Sequence, residues 1–147
     1  MLSNEALWIE GEDYTSTTFN RHGWYYDDNI QMDLLAPGEP GVSPGDWLVH
    51  YSSWTGSAKA TYTFDVTEGG GFNWWIRLNP FRNSNGGGNY RYRLDGGDWK
   101  VIDVTQPDSR IDLVDPGIDI RFIGWVYGDS MDLGVGQHTV EIELFAQ

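Results

Sequence analysis

Lys59-Ala60-Thr61-Tyr62-Thr63-Phe64-Asp65-Val66, followed past Gly69-Gly70-Gly71 by Phe72-Asn73-Trp74-Trp75-Ile76-Arg77-Leu78-Asn79, sets the period of this chain. Successive side chains of a strand point to opposite faces, so apolar character repeating every second residue marks a half-buried strand. Ala60, Tyr62, Phe64 and Val66 share one face of the first run. Phe72, Trp74, Ile76 and Leu78 share the inward face of the second, which leaves Asn73, Trp75, Arg77 and Asn79 together on the other. Working outward, Tyr90-Arg91-Tyr92-Arg93-Leu94 alternates and enters Asp95-Gly96-Gly97-Asp98, a hairpin signal, before the chain returns over residues 99–104. Residues 118–126 and 139–145 predict two more strands, 41–51 another, and 7–10 open the set. Trp125 and Tyr127 fall at the end of a short strand, just before Gly128-Asp129.

No stretch of ten residues keeps a helical stripe, and 19 glycines interrupt nearly every candidate. Seven to nine short strands separated by Gly, Pro, Asn and Asp clusters predict an all-β chain, an antiparallel β-sandwich of jelly-roll type. A length of 147 residues suits one domain, with its core over about 7–145. No internal repeat or linker divides it.

The net charge of −13, from 22 acidic against nine basic residues, argues against nucleic acid as partner, because phosphate binding needs a cationic surface. Without cysteine there is no disulfide, thiolate nucleophile or Cys-based zinc site. No run approaches the ~18 apolar residues of a membrane span. The opening residues lack the basic-then-apolar order of a signal peptide. An extracellular setting is therefore expected only for a mature piece of an exported protein.

Eight Trp, eight Tyr and six Phe are more than a small β-core requires. Single rings of this kind usually fill cores, with their N–H or O–H ends reaching water. Several here lie near turns: Trp24-Tyr25-Tyr26, Trp54, Trp125 and Tyr127. As a set they suggest flat platforms for the C–H face of a sugar. Glu10 and Glu12 sit at i and i+2 and project the same way. Two such carboxylates repel unless a proton or cation lies between them, and calcium suits oxygen ligands; the bland alternative is a solvated pair.

"IEGEDYTST" over residues 9–17 resembles the opening "EAEDY" of carbohydrate-binding modules of families 6 and 35. "PGDWLVHY" resembles their "GDYLVF" strand. "ATYTFDVTEGGGFNWWIRLN" resembles the next strand pair, and "IGWVYG…LGVGQHTVEIEL" the late segment. The likeness spans roughly residues 8–145 and looks most like domains attached to bacterial polysaccharide-degrading enzymes. It implies a calcium-containing jelly roll, with structural calcium on Glu10 and Glu12. The families' terminal Asp-bearing segment has no counterpart in residues 143–147. Three readings stay open: calcium held by other groups, a vestigial site, or a last strand supplied from elsewhere. The resemblance also implies that a sugar lies between a loop aromatic, here Tyr26 with Trp24 and Tyr25 beside it, and Trp125. Arg77 and Asn79 are candidates to orient it by hydrogen bonds. A second candidate surface is the strand face carrying Trp75 and Arg77.

Of the three histidines, His138 suits a structural turn and His22 is the one candidate for chemistry. No G-x-S-x-G, H-E-x-x-H or P-loop pattern occurs. The expectation is a non-catalytic carbohydrate-binding module with a polysaccharide or oligosaccharide as partner and an attached catalytic domain. The alternative is a structural subunit of an extracellular or particle assembly that self-associates through a sheet edge, with residues 1–7 or 143–147 as the donated strand. A lyase or glycoside hydrolase is the third option.

Overall fold

The computed structural model describes residues 3–11, 13–19, 21–22, 48–49, 57–78, 89–102, 110–112 and 124–145. Among them all regular structure is strand. In chain order the elements are β1 (Ser16–Thr17), β2 (Arg21–His22), β3 (Leu48–Val49), β4 (Ser57–Val66), β5 (Gly70–Leu78), β6 (Asn89–Leu94), β7 (Lys100–Ile102), β8 (Arg110–Asp112), β9 (Gly124–Leu133) and β10 (Gly136–Phe145). They form a five-stranded sheet in the order β1-β4-β10-β6-β7, a three-stranded sheet β5-β9-β8 and the pair β2-β3. Every pairing is antiparallel.

The period of two decides which side chains go inside. On β4, Ala58, Ala60, Tyr62 and Val66 are buried, while Thr63 and Asp65 face out. Ala60 and Tyr62 meet Tyr92 of β6, Ile102 of β7, Val140 of β10 and Val126 of β9 in one cluster, with Trp74, Ile76 and Leu78 packed against it. Side chains of the five- and three-stranded sheets thus share a core. Each large apolar group buried there contributes about 1.5–3 kcal/mol before chain entropy is charged against it. The hairpin predicted at 95–98 is present. Asp95 and Gly96 both take positive φ, 49° and 70°, and the Gly97 N–H donates to the Leu94 carbonyl at 2.8 Å. Those angles fit the primed turns whose twist suits a two-residue hairpin, and Gly96 adopts its angle without steric cost.

Two expectations need correction. The strand holding Trp125 and Tyr127 does not stop at Gly128 but continues to Leu133. Trp74 lies opposite Asp129 and Trp75 opposite Tyr127, so Gly128 is an extra residue on β9. Such a β-bulge shifts the phase of the alternation. Before it Gly124 and Val126 are buried; after it Leu133 is, with Met131 half-buried against the core. Residues 7–10 are also no strand. Residues 3–10 instead lie extended beside β5, the edge of the three-stranded sheet. The Ser3 N–H donates to the Gly71 carbonyl at 3.0 Å, and Glu10 reaches Arg77 six residues farther along β5. Of residues 41–51 the structure describes only β3, and of 118–126 only the part from Gly124.

Both segments considered as donated strands are engaged within the chain. Residues 143–145 lie in β10, paired with β4 on one side and β6 on the other, and residues 3–10 line β5.

Candidate functional site

Two residues apart on one face of a strand is about 6.8 Å, and directly opposed residues of neighbouring strands touch. The outward residues of β5 and β9 therefore form rows across the three-stranded sheet. Arg77 lies opposite Trp125, Trp75 opposite Tyr127, and Asn73 opposite Ser130. Ile111 of β8, 54% exposed, flanks Trp125 from the other side. Tyr127 shares this face with Trp125 by strand parity, and the extra Gly128 brings Ser130 and Asp132 onto it as well.

Trp75 and Tyr127 pack with ring centroids 5.2 Å apart, and Trp75 remains 37% exposed. The Tyr127 hydroxyl is 2.7 Å from Ser130 Oγ, which donates to Asn73 Oδ1 at 2.8 Å. Since Ser130 has one hydroxyl proton, the phenol is the donor in the first bond. That chain of bonds fixes the tilt of the Tyr127 ring.

The segment beside β5 completes the face. Trp8, 60% exposed, meets Trp125 edge to face at a centroid distance of 5.3 Å. Arg77 lies over both indoles, 5.4 Å from the Trp8 centroid and 5.8 Å from that of Trp125, within reach of cation–π attraction. The Trp8 Nε1–H donates to Glu10 Oε1 at 2.5 Å, and Arg77 Nη2 donates to Glu10 Oε2 at 3.4 Å. Trp8, Glu10, Arg77 and Trp125 are thus one knot of two rings and one ion pair.

Of the residues singled out in the sequence, Trp125, Trp75 and Arg77 come together here, on a sheet face rather than among loops at one end. Trp24, Tyr25, Tyr26, Asn79 and Glu12 lie outside the described residues, as does Trp54. Glu10, read as half of a calcium pair, instead faces a guanidinium and an indole N–H, surroundings that compete with a cation. Among the described residues no group of three His, Cys, Asp or Glu side chains is placed to hold a metal ion. Sequence reasoning named Tyr127 among the turn-borne rings but missed Trp8, which shares strand parity with Glu10 and so was within reach of the same rule.

His138, expected at a turn, lies within β10 and bonds to two turns from there. Its Nδ1 is 2.8 Å from Asp95 Oδ2 in the β6–β7 turn, and its Nε2 is 2.9 Å from the Gly134 carbonyl. Both partners are acceptors, so both bonds favour the doubly protonated ring. The bond to Asp95 and then that to Gly134 raise its pKa above the ordinary value.

The outer face of the five-stranded sheet differs in kind. Glu141 lies between Lys59, at 2.6 Å, and Arg93, and Arg91 pairs with Glu143 at 2.5 Å. Arg91 and Arg93 both stand over Trp99 at 4.6 Å from its centroid. That surface is ionic and its ring is covered, whereas the β5–β9 face is aromatic and open.

Comparison of the chain with protein-family models, curated proteins and solved structures gives no match.

Proposed function

We propose that this protein is a non-catalytic carbohydrate-binding module of the jelly-roll type, with its ligand lying on the outer face of the three-stranded sheet. One observation carries the reading. Trp8, Trp75, Tyr127 and Trp125 are gathered on an outer sheet face beside Arg77, Asn73 and Ser130, where core packing does not require them. Flat rings accept the C–H faces of pyranoses, and a few fixed polar groups orient the hydroxyls, the usual composition of a binding site. Affinity on so open a face is modest, because little area is buried and the ligand loses chain freedom. Such a module holds an attached or associated enzyme near a polysaccharide outside the cell.

Affinity electrophoresis of the whole chain through gels containing soluble polysaccharides tests this. Trp75→Ala is expected to weaken retardation at least about tenfold, as removal of a central Trp anchor does at other interfaces. Trp125→Ala should do the same, with near-UV circular dichroism confirming that each variant folds. Retention of full binding by both folded variants would rule this face out.

A further inference from the structure

The aromatic face carries one cation among the described residues, Arg77, and the chain sets a carboxylate beside it. Arg77 and Glu10 are each about a quarter exposed, at 24% and 28%, and 3.4 Å apart. The guanidinium is also confined between the Trp8 and Trp125 rings. Asp132, opposite Gly71 on the same face, adds a second negative charge, in a molecule whose net charge is already −13.

Resting on the carbohydrate reading above, we infer that Glu10 is the selectivity-determining residue of this face: by neutralising Arg77 it restricts the ligand to uncharged glycans. A uronate or sulfate approaching Arg77 has to come within a few ångströms of the Glu10 carboxylate, and like charges at that separation repel strongly where water is partly excluded. An uncharged sugar meets no such penalty. Its hydroxyls can accept from the guanidinium and donate to a Glu10 oxygen. The Arg77–Trp125 and Trp75–Tyr127 rows are about 6.8 Å apart along the strands. A ligand that covers both is therefore at least a disaccharide lying along β5 and β9.

The test uses the full chain, in EDTA so that no divalent ion contributes. Xylan and hydroxyethyl cellulose serve as uncharged probes, polygalacturonate and alginate as charged ones. The parent is expected to be retarded by an uncharged polymer and not by the charged ones. Glu10→Gln keeps an acceptor for the Trp8 N–H and removes the charge; it should gain about fivefold in affinity for the charged polymers relative to the uncharged. That gain should fade in high salt and disappear when Arg77→Gln is added. Should the glutamine variant unfold, Glu10→Ser supplies the same charge change. The inference is overturned if the parent binds charged polymers as well as uncharged ones through Trp75, or if the folded Glu10 variants keep the parent's preference. Absence of Trp75-dependent retardation by any polymer overturns the carbohydrate reading itself, a result distinct from the first two.

Discussion

At the scale of single residues, Gly128 does the most with the least. A Cβ built there would lie 2.2 Å from Trp74 Cδ1 and 2.8 Å from its Nε1, far inside contact distance. Trp74 cannot easily give way, because its ring packs 5.7 Å from that of Tyr92 between the sheets. Gly128→Ala is thus expected to destabilise by about 1–3 kcal/mol, the cost of overpacking a filled core. Urea unfolding would show a lower midpoint with an unchanged slope. This residue also shows where the sequence stopped being readable. Gly128-Asp129 has the composition of a turn, and only its pairing with β5 shows it to be a bulge. Ala60, Tyr62 and Val66 were readable, since burial of one face leaves a direct trace in local alternation. Trp8 left only a parity, and parity does not say whether an outward ring meets other outward rings.

At the scale of elements, the extended residues 3–10 behave as a strap fastened at both ends. The lower fastening is Glu5. Its carboxylate accepts from the Thr67 N–H at 3.0 Å, the Glu68 N–H at 2.7 Å and the Thr67 hydroxyl at 2.9 Å. The Glu68 N–H does most to hold its pKa below the ordinary value, against a smaller opposing effect of burial. The upper fastening is the Trp8–Glu10–Arg77 knot. Glu5→Ala is expected to free the strap without unfolding the sheets. Amide exchange should quicken over residues 3–8 while β4 and β10 stay protected, and glycan affinity should fall because Trp8 leaves the platform. Equal exchange in variant and parent would mean that Glu5 fastens nothing. Local sequence could predict an extended segment at 7–10. It could not show that side chains, more than a ladder of backbone bonds, hold that segment to β5.

At the scale of the molecule, the carboxylates and His138 give stability a predictable pH profile. His138 has its pKa raised from 6.5, so its contribution is complete below 6.5 and declines as pH rises through the raised value. Asp95 feels burial, which opposes ionisation, but its bonds from His138 and the Thr139 N–H prevail and lower it from 3.8. Its contribution therefore fails only as pH falls below that range. Glu141 is held at about 2 by Arg93 first and Lys59 second, so what it adds is present above 4.5 and lost as pH drops through about 2. Melting temperature is expected to be level from 4.5 to 6.5 and to decline as pH rises through the raised His138 value. In His138→Gln the alkaline decline should vanish while the acid limb remains; an unchanged alkaline limb would mean that the turn-to-turn bond is not its source.

The all-β character and the antiparallel hairpins were legible at this scale because each strand advertises its own period. Trp75 and Arg77 were legible as neighbours on one strand face, but their meeting with Trp8 and Trp125 was not, since it depends on which segments become neighbours across long stretches of chain. One feature of that strand order bears on force. Ser3 is bonded at the turn that follows Val66, while Phe145 lies opposite Ser57 at the far end of β4. Tension between residues 3 and 145 consequently runs along β10 and across the ladder bonds on both its flanks. Those bonds are perpendicular to the strands. They are sheared together instead of being unzipped one at a time, so the sheet resists tension applied between residues 3 and 145.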